Sequence, residues 1–300
     1  IGWRSLVFRA NKSGGLWRRV QGRMSAVPEA ETAEIRVAHL VSSGDANTTR
    51  KDKKMKNPVL MIAVVAAAAV VSGCAPQAAP VVEAPPEPEP VREVLTAEAQ
   101  RAMTPAQVLS DLKEGNRRFV EGRLTERDYL AQAEATASGQ YPKAVILGCV
   151  DSRVPPEVIF DQGIGDVFVG RVAGNVEDIN LLGSMEFATK VAGSKVVLIL
   201  GHTACGAIKG AADGAELGNL TDLLAQFAAP IERADEATEG EANSSNLPFL
   251  NLAIEENVRQ TIADLLDSSD VMSEMVEAGD LLVVGGVYDL ATGRINWLDS

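Results

Sequence analysis

A chain of 300 residues with 46% hydrophobic and 23% charged residues has ample apolar surface to bury a core, although its composition is too uneven for the whole length to form one. The net charge of −13 is unequally placed: residues 1–73 hold 12 Lys and Arg against 5 Asp and Glu, which leaves 16 against 36 for residues 74–300. So acidic a body lacks the clustered cations that a phosphate backbone requires, which excludes nucleic acid as a partner.

Residues 1–54 mix basic and polar residues without periodicity and are read as disordered, or as a non-native segment upstream of a start at Met55. Residues 55–73 give a short basic opening, an apolar run from Pro58 to Val71 and a small-residue end, the layout of a secretory signal peptide. The apolar run falls short of the ~20 residues that span a bilayer. Val71-Ser72-Gly73-Cys74 resembles the lipobox of bacterial lipoproteins, which implies cleavage before Cys74 and a lipid anchor on its sulfur. Ala75 stands where retention in the inner membrane usually shows aspartate, so the expectation is a cell-envelope protein held to the outer membrane and facing the periplasm. Residues 74–103 are rich in Pro, Ala and Glu and read as a semi-rigid tether.

The globular domain is expected over residues 104–300. Thr104 as cap and Pro105 at the first position start an amphipathic helix carrying Val108, Leu109, Leu112, Phe119 and Val120, and a second helical stretch covers Asp128 to Ser138. The runs "KAVILGC", "DVFVGRV", "KVVLILGH" and "DLLVVGGVYDL", apolar on both faces and separated by helical segments, predict an α/β fold with a mainly parallel central sheet flanked by helices. A last strand, Arg294 to Leu298, returns through a turn at Gly293.

Ligands gather at the carboxyl ends of strands in open α/β sheets. Cys149 ends the first strand run, and His202 ends the third with Cys205 three residues on. Two thiolates and an imidazole suit zinc, and three protein ligands with a fourth position open mark a catalytic ion. Each piece has a plainer reading, a core cysteine for Cys149 and a surface ion pair for Asp151 with Arg153. The odd cysteine count with irregular spacing indicates no disulfide framework.

Cys149-Val150-Asp151-Ser152-Arg153 followed by His202-Thr203-Ala204-Cys205-Gly206 resembles the β-class carbonic anhydrases, and so do "GDVFVGRVAGN", "GSMEFA" and "GGVYDLATGRINWL". The resemblance implies one Zn2+ per chain on Cys149, His202 and Cys205, and reversible hydration of carbon dioxide to bicarbonate by zinc-bound hydroxide. Asp151 would accept a hydrogen bond from that hydroxide, and Arg153 would hold Asp151 ionised and off the metal. Gln140 and the Gly206 amide match substrate contacts, and Phe168, Ala173 and Phe187 match apolar pocket positions. Val172 stands where many members carry asparagine, and Phe187 where tyrosine is commoner. The resemblance also implies an obligate homodimer, or a higher even oligomer, with sites at the subunit interface. Two thiolate ligands imply activity that rises into alkaline pH. Two rivals remain at this stage: a carbon disulfide or carbonyl sulfide hydrolase with the same ligands, and a non-catalytic zinc-binding envelope lipoprotein.

Overall fold

A computed structural model describes residues 89–298. The segments 1–54 and 55–73 and the lipidation candidate Cys74 lie outside the described residues. Helix α1 (Ala97–Ala102) is capped by Thr96, whose hydroxyl accepts from the Ala99 amide at 3.2 Å. Its buried Gln100 donates to the carbonyls of Pro142 and Ala192, each at 2.8 Å. Val91 also bridges to Arg127, so the stretch read as tether carries folded structure from Val91 onward. The correction arises because a buried amide and one backbone bridge find partners far along the chain, which composition does not reveal.

Helix α2 (Pro105–Val120) begins as expected. The Thr104 hydroxyl accepts from the Gln107 amide at 3.3 Å, and Gln107 Oε1 accepts from the Thr104 amide at 2.8 Å, a reciprocal cap. Asp128 caps α3 (Tyr129–Thr136) through the Ala131 amide at 3.0 Å. There follow β1 (Ala144–Gly148), α4 (Pro156–Ile159), β2 (Val167–Arg171), a 3₁₀ turn at Ala173–Asn175, and α5 (Ile179–Glu186) running into a wider turn at Phe187–Val191. The chain continues through β3 (Val196–His202), α6 (Gly206–Ala212), α7 (Asn219–Ala225), α8 (Ala228–Ala237), α9 (Leu247–Ser268), α10 (Asp270–Glu277), β4 (Leu282–Tyr288) and β5 (Ile295–Trp297).

The strands form one sheet in the order β2-β1-β3-β4-β5, parallel except for the β4–β5 hairpin. β1 and β3 are buried along their whole length, as continuous apolar runs demand. β2 is only half-buried, unlike the expectation of two covered faces, because it is an edge strand with a single neighbour.

Side chains alternate across the sheet and feed two cores. Val145, Leu147, Val197 and Ile199 pack with Phe227 and with Phe249, Ile254 and Val258 on one face. Ile146, Leu198 and Leu200 pack with Val108 and Leu112 of α2 and with Phe160 on the other. α2 approaches so closely that a Cβ on Gly115 would lie 1.9 Å from the Phe160 carbonyl oxygen. Beside this contact, buried Asp161 accepts hydrogen bonds from Arg118, Arg127 and Thr125, tying α2 and the following loop to the segment after α4.

Candidate metal centre

The register that pairs Gly148 of β1 with Leu200 of β3 brings the carboxyl ends of both strands to one sheet edge. Cys149 leaves β1 there, and His202 is the last residue of β3. Between His202 and Cys205 the backbone passes through the left-handed region at Ala204, with φ 55°, a conformation most side chains avoid. Two bonds stabilise this turn: the Thr203 amide donates to the Tyr288 carbonyl at 2.9 Å, and the Leu290 amide donates to Thr203 Oγ1 at 3.0 Å. Cys205 then caps α6, and its sulfur faces the Ile208 and Ala207 amides.

The two sulfurs and the imidazole nitrogen lie within 4.8 Å of one another, and all three residues are buried. His202 Nδ1 lies 3.0 Å from the Thr203 carbonyl, which can only accept, so Nδ1 carries the proton and Nε2 presents its lone pair. That Nε2 is buried and has no hydrogen-bond partner, a rare state for a polar atom. A divalent cation among these donors would satisfy it, and the soft donor set suits zinc.

The electrostatics agree. Cys149 is pulled down to about 4, first by the hydrogen bond from the Cys205 thiol, against burial, and with help from the amides of Gly174 and Asp151. Cys205 is pushed up by the same contact and by burial. Without a cation, then, one thiolate and one thiol share a proton. A thiolate in contact with a thiol also sets up oxidation. A chain expressed from residue 75 and freed of metal should lose both titratable thiols to an intramolecular disulfide when exposed to oxidised glutathione, while the zinc-loaded chain keeps them. Thiol counts that stay equal in the two forms would contradict this.

Asp151 sits at the rim with Arg153. Asp151 Oδ1 accepts from the Arg153 amide and Nε, both at 2.9 Å, and Oδ2 accepts from Nη2 at 2.7 Å. These bonds hold the carboxyl well below the usual carboxylate range, against the opposing cost of burial. Asp151 Oδ2 is 3.8 Å from His202 Nε2, so the carboxylate borders the centre while committed to Arg153.

Sequence reasoning assigned no role to three neighbours. Arg171 donates through Nε to the Cys149 carbonyl at 2.8 Å and through Nη2 to the Asp151 carbonyl, clamping the loop that bears both residues. The Gly174 amide donates to Cys149 Sγ at 3.4 Å. Asn257, more than 80 residues downstream, donates to the Gly174 carbonyl. "GRVAGN" was the visible signal for the first two; nothing local marks Asn257.

Of the expected pocket residues, Phe168 and Phe187 meet edge-on with ring centroids 6.1 Å apart. With Val145, Leu147, Leu181 and Met185 they line a cavity of about 330 Å³ on the sheet face that also carries the Cys149 side chain. Ala173 opens the turn whose next residue contacts Cys149, and Gly206 follows Cys205 with open space where a Cβ would stand. Gln140 is not brought to the centre within one chain. It is exposed, precedes β1 and lies beside Gly165, so the length of β1, about 16 Å, separates it from Cys149.

A carbonic anhydrase family profile matches residues 144–295. Carbonic anhydrase 2 of Mycobacterium tuberculosis is 39% identical over 191 residues, covering 61% of this chain and 87% of that protein. A carbonic anhydrase of Pseudomonas aeruginosa is 31% identical over 198 residues, covering 64% and 88%. Among solved structures, one of the two tetrameric β-carbonic anhydrases of Sordaria macrospora superposes with a TM-score of 0.51 at 29% identity, covering 56% of this chain and 90% of that one. A β-carbonic anhydrase of Aspergillus fumigatus superposes equally well, with a TM-score of 0.51 at 28% identity and coverage of 65% and 90%. With the Cys-His-Cys centre at the carboxyl edge of a mainly parallel five-stranded sheet, these likenesses make this chain a member of the β-class carbonic anhydrase family.

Proposed function

We propose that residues 104–300 catalyse the reversible hydration of carbon dioxide to bicarbonate and a proton. The observation that carries the reading is the joint geometry of three buried metal donors and an adjacent Asp151 committed to Arg153.

Cys149, His202 and Cys205 would hold the zinc, which when bound is a Lewis acid that brings the pKa of a coordinated water from 15.7 down to about 7 in the best-known case. Two thiolates donate more charge than neutral imidazoles, so activity should rise into alkaline pH. The remaining work falls to the chain's own groups. Asp151, kept ionised by Arg153, can only accept hydrogen bonds, so it orients the attacking water by accepting a hydrogen bond from it. Because Arg153 occupies the same carboxylate, Asp151 is restrained from closing over His202. Arg171 keeps the loop in place. The apolar cavity of Phe168, Phe187, Val145 and Leu147 suits an uncharged, apolar substrate and repels the bicarbonate product. His202 is the only histidine among the described residues and its ring is committed, so proton release falls to buffer or to a group other than histidine, and buffer is the route we propose. Turnover should therefore climb with buffer concentration; a rate indifferent to buffer would refute that step.

The decisive test is stopped-flow hydration of carbon dioxide against pH on zinc-loaded protein, with Asp151→Ala alongside. The variant should keep its zinc and lose about 10²-fold or more in turnover throughout the neutral and alkaline range. Because Asp151 is held so far down, its protonation should leave no step in the wild-type profile near neutrality. No hydration by a fully zinc-loaded chain would favour a carbon disulfide or carbonyl sulfide substrate, or a purely zinc-binding role, over this reading.

The proposal extends to assembly and place. A homodimer or higher even oligomer could bring Gln140 of a second copy to each centre; support comes from the one-sided edge strand β2 and from the exposed Val158, Ile164 and Phe187. The Sordaria macrospora relatives are tetrameric. Sedimentation would show a monomer if this is wrong. The Val71-Ser72-Gly73-Cys74 motif supports a lipid anchor at Cys74 and a periplasm-facing position on the outer membrane. No helix among the described residues is long and apolar enough to cross a membrane. Radiolabelled palmitate incorporation that is lost in Cys74→Ala would test the anchor.

A further inference from the structure

We infer that Asn257 of α9 is a positioning residue for the metal centre, fixing Gly174 so that the Gly174 amide donates to the Cys149 sulfur. The inference rests on the carbonic anhydrase reading only for the kinetic part of its test.

Asn257 is 2% exposed and lies in the buried stripe of α9 beside Ile254 and Val258, which pack on the sheet. An amide in that setting is costly unless paired. Its Nδ2 donates to the Gly174 carbonyl at 2.8 Å, and Gly174 in turn sends its amide to Cys149 Sγ at 3.4 Å. Gly174 belongs to no strand ladder and adopts φ +75°, which only glycine takes without strain; a Cβ there would lie 2.3 Å from the Phe227 ring. The turn thus has no side chain of its own at this point to hold its orientation, and α9 supplies the hold from outside. Thr261 Oγ1 donates to the Asn257 carbonyl at 3.0 Å within a helix of 22 residues, a rigid base for the contact.

The consequence is chemical as well as structural. An N–H bond to a ligating thiolate withdraws electron density from sulfur, so the sulfur donates less to the metal and the cation remains a stronger Lewis acid. In a centre with two thiolates that correction favours ionisation of a bound water nearer neutrality. Asn257 touches neither metal nor substrate; it acts through Gly174.

Three measurements test this. In wild-type protein loaded with cadmium-113, the Gly174 amide proton should show scalar coupling to the metal through the Cys149 sulfur, and absence of coupling would overturn the inference without any variant. In cobalt-substituted Asn257→Ala, and in Asn257→Asp, which keeps the shape but cannot donate when ionised, the thiolate-to-cobalt charge-transfer band should move to lower energy. Zinc affinity in chelator competition should fall about 10-fold. Asn116→Ala removes another buried amide, one that bonds the Ile159 and Gly293 carbonyls on the opposite face of the sheet. It should lower thermal stability and leave band and affinity unchanged. An unmoved band with zinc affinity within twofold in the Asn257 variants, or equal changes in Asn116→Ala, would reduce Asn257 to a packing role. The pH midpoint of hydration should also rise in the Asn257 variants. If the wild type hydrates no carbon dioxide, the functional reading fails while band and affinity still decide the role of Asn257.

Discussion

Replacing Cys205 by serine is expected to empty the centre of zinc and to reduce carbon dioxide hydration by at least about 10⁴-fold, since enzymes of ordinary power exceed the uncatalysed rate by 10⁶ or more. The sulfur is 1% exposed and one of three donors gathered within 4.8 Å, and no other cluster of this kind is found among the described residues. A serine hydroxyl stays protonated at neutral pH and is a poor zinc ligand, so the site would keep one thiolate and one imidazole. Asp151, whose Oδ2 lies 3.8 Å from His202 Nε2, cannot simply step in, because both of its oxygens are held by Arg153. The fold should survive, since serine is smaller and the surrounding core of Ile208, Phe227 and Leu224 remains. Zinc content by atomic absorption together with stopped-flow rates would check the claim. A variant that keeps one equivalent of zinc and a tenth of the activity would remove Cys205 from the ligand set.

Asp161→Ala is expected to destabilise the domain by about 3–5 kcal/mol, the range for breaking a buried ion pair on one side. At roughly 2–4 °C per kcal/mol for a domain of this size, the melting temperature should drop by about 6–20 °C. The side chain of Asp161 is 1% exposed, and it accepts from Arg118, from Arg127 and from Thr125 Oγ1 at 2.7 Å. Truncation leaves the Arg127 guanidinium, itself only 10% exposed, without its carboxylate. Burial alone would raise the carboxyl; the bonds from Arg127, Arg118 and Thr125 outweigh it and hold it lowered. A lowered carboxyl contributes stability that is complete above the unfolded value, about 3.9, and is lost as pH falls through the folded value below it. The gap between wild type and variant should thus be full at neutral pH and narrow in acid. Denaturant unfolding at neutral and acidic pH would measure it, and a gap that widened on acidification would reverse the assignment. The zinc centre lies elsewhere, so metal content should not change.

Much of this protein is legible in its residues. The apolar runs of β1 and β3 are buried end to end because both faces of a central parallel strand are covered, and that state writes itself as uninterrupted Val, Ile and Leu. Thr104, Pro105 and Gln107 announce α2 because capping is local chemistry. Cys149, His202 and Cys205 are legible as ligands because strand ends in such sheets converge, and Asp151 because two residues along a loop suffice to put it at the rim.

What only the tertiary structure decided lies in long-range partnerships. Which strand would be the edge depends on sheet order, and β2 reads like a central strand until its single neighbour is seen. Gln140 matches a substrate contact in the sequence, yet a single chain leaves it at the other end of β1 from the centre. Arg171 and Asn257 support the Cys149 loop through bonds to backbone carbonyls and Gly174 through its own amide, and backbone carbonyls and amides carry no residue identity for a pattern to record. The residue types that do chemistry are thus written locally, whereas the bonds that hold them in place are set by packing between segments up to 87 residues apart.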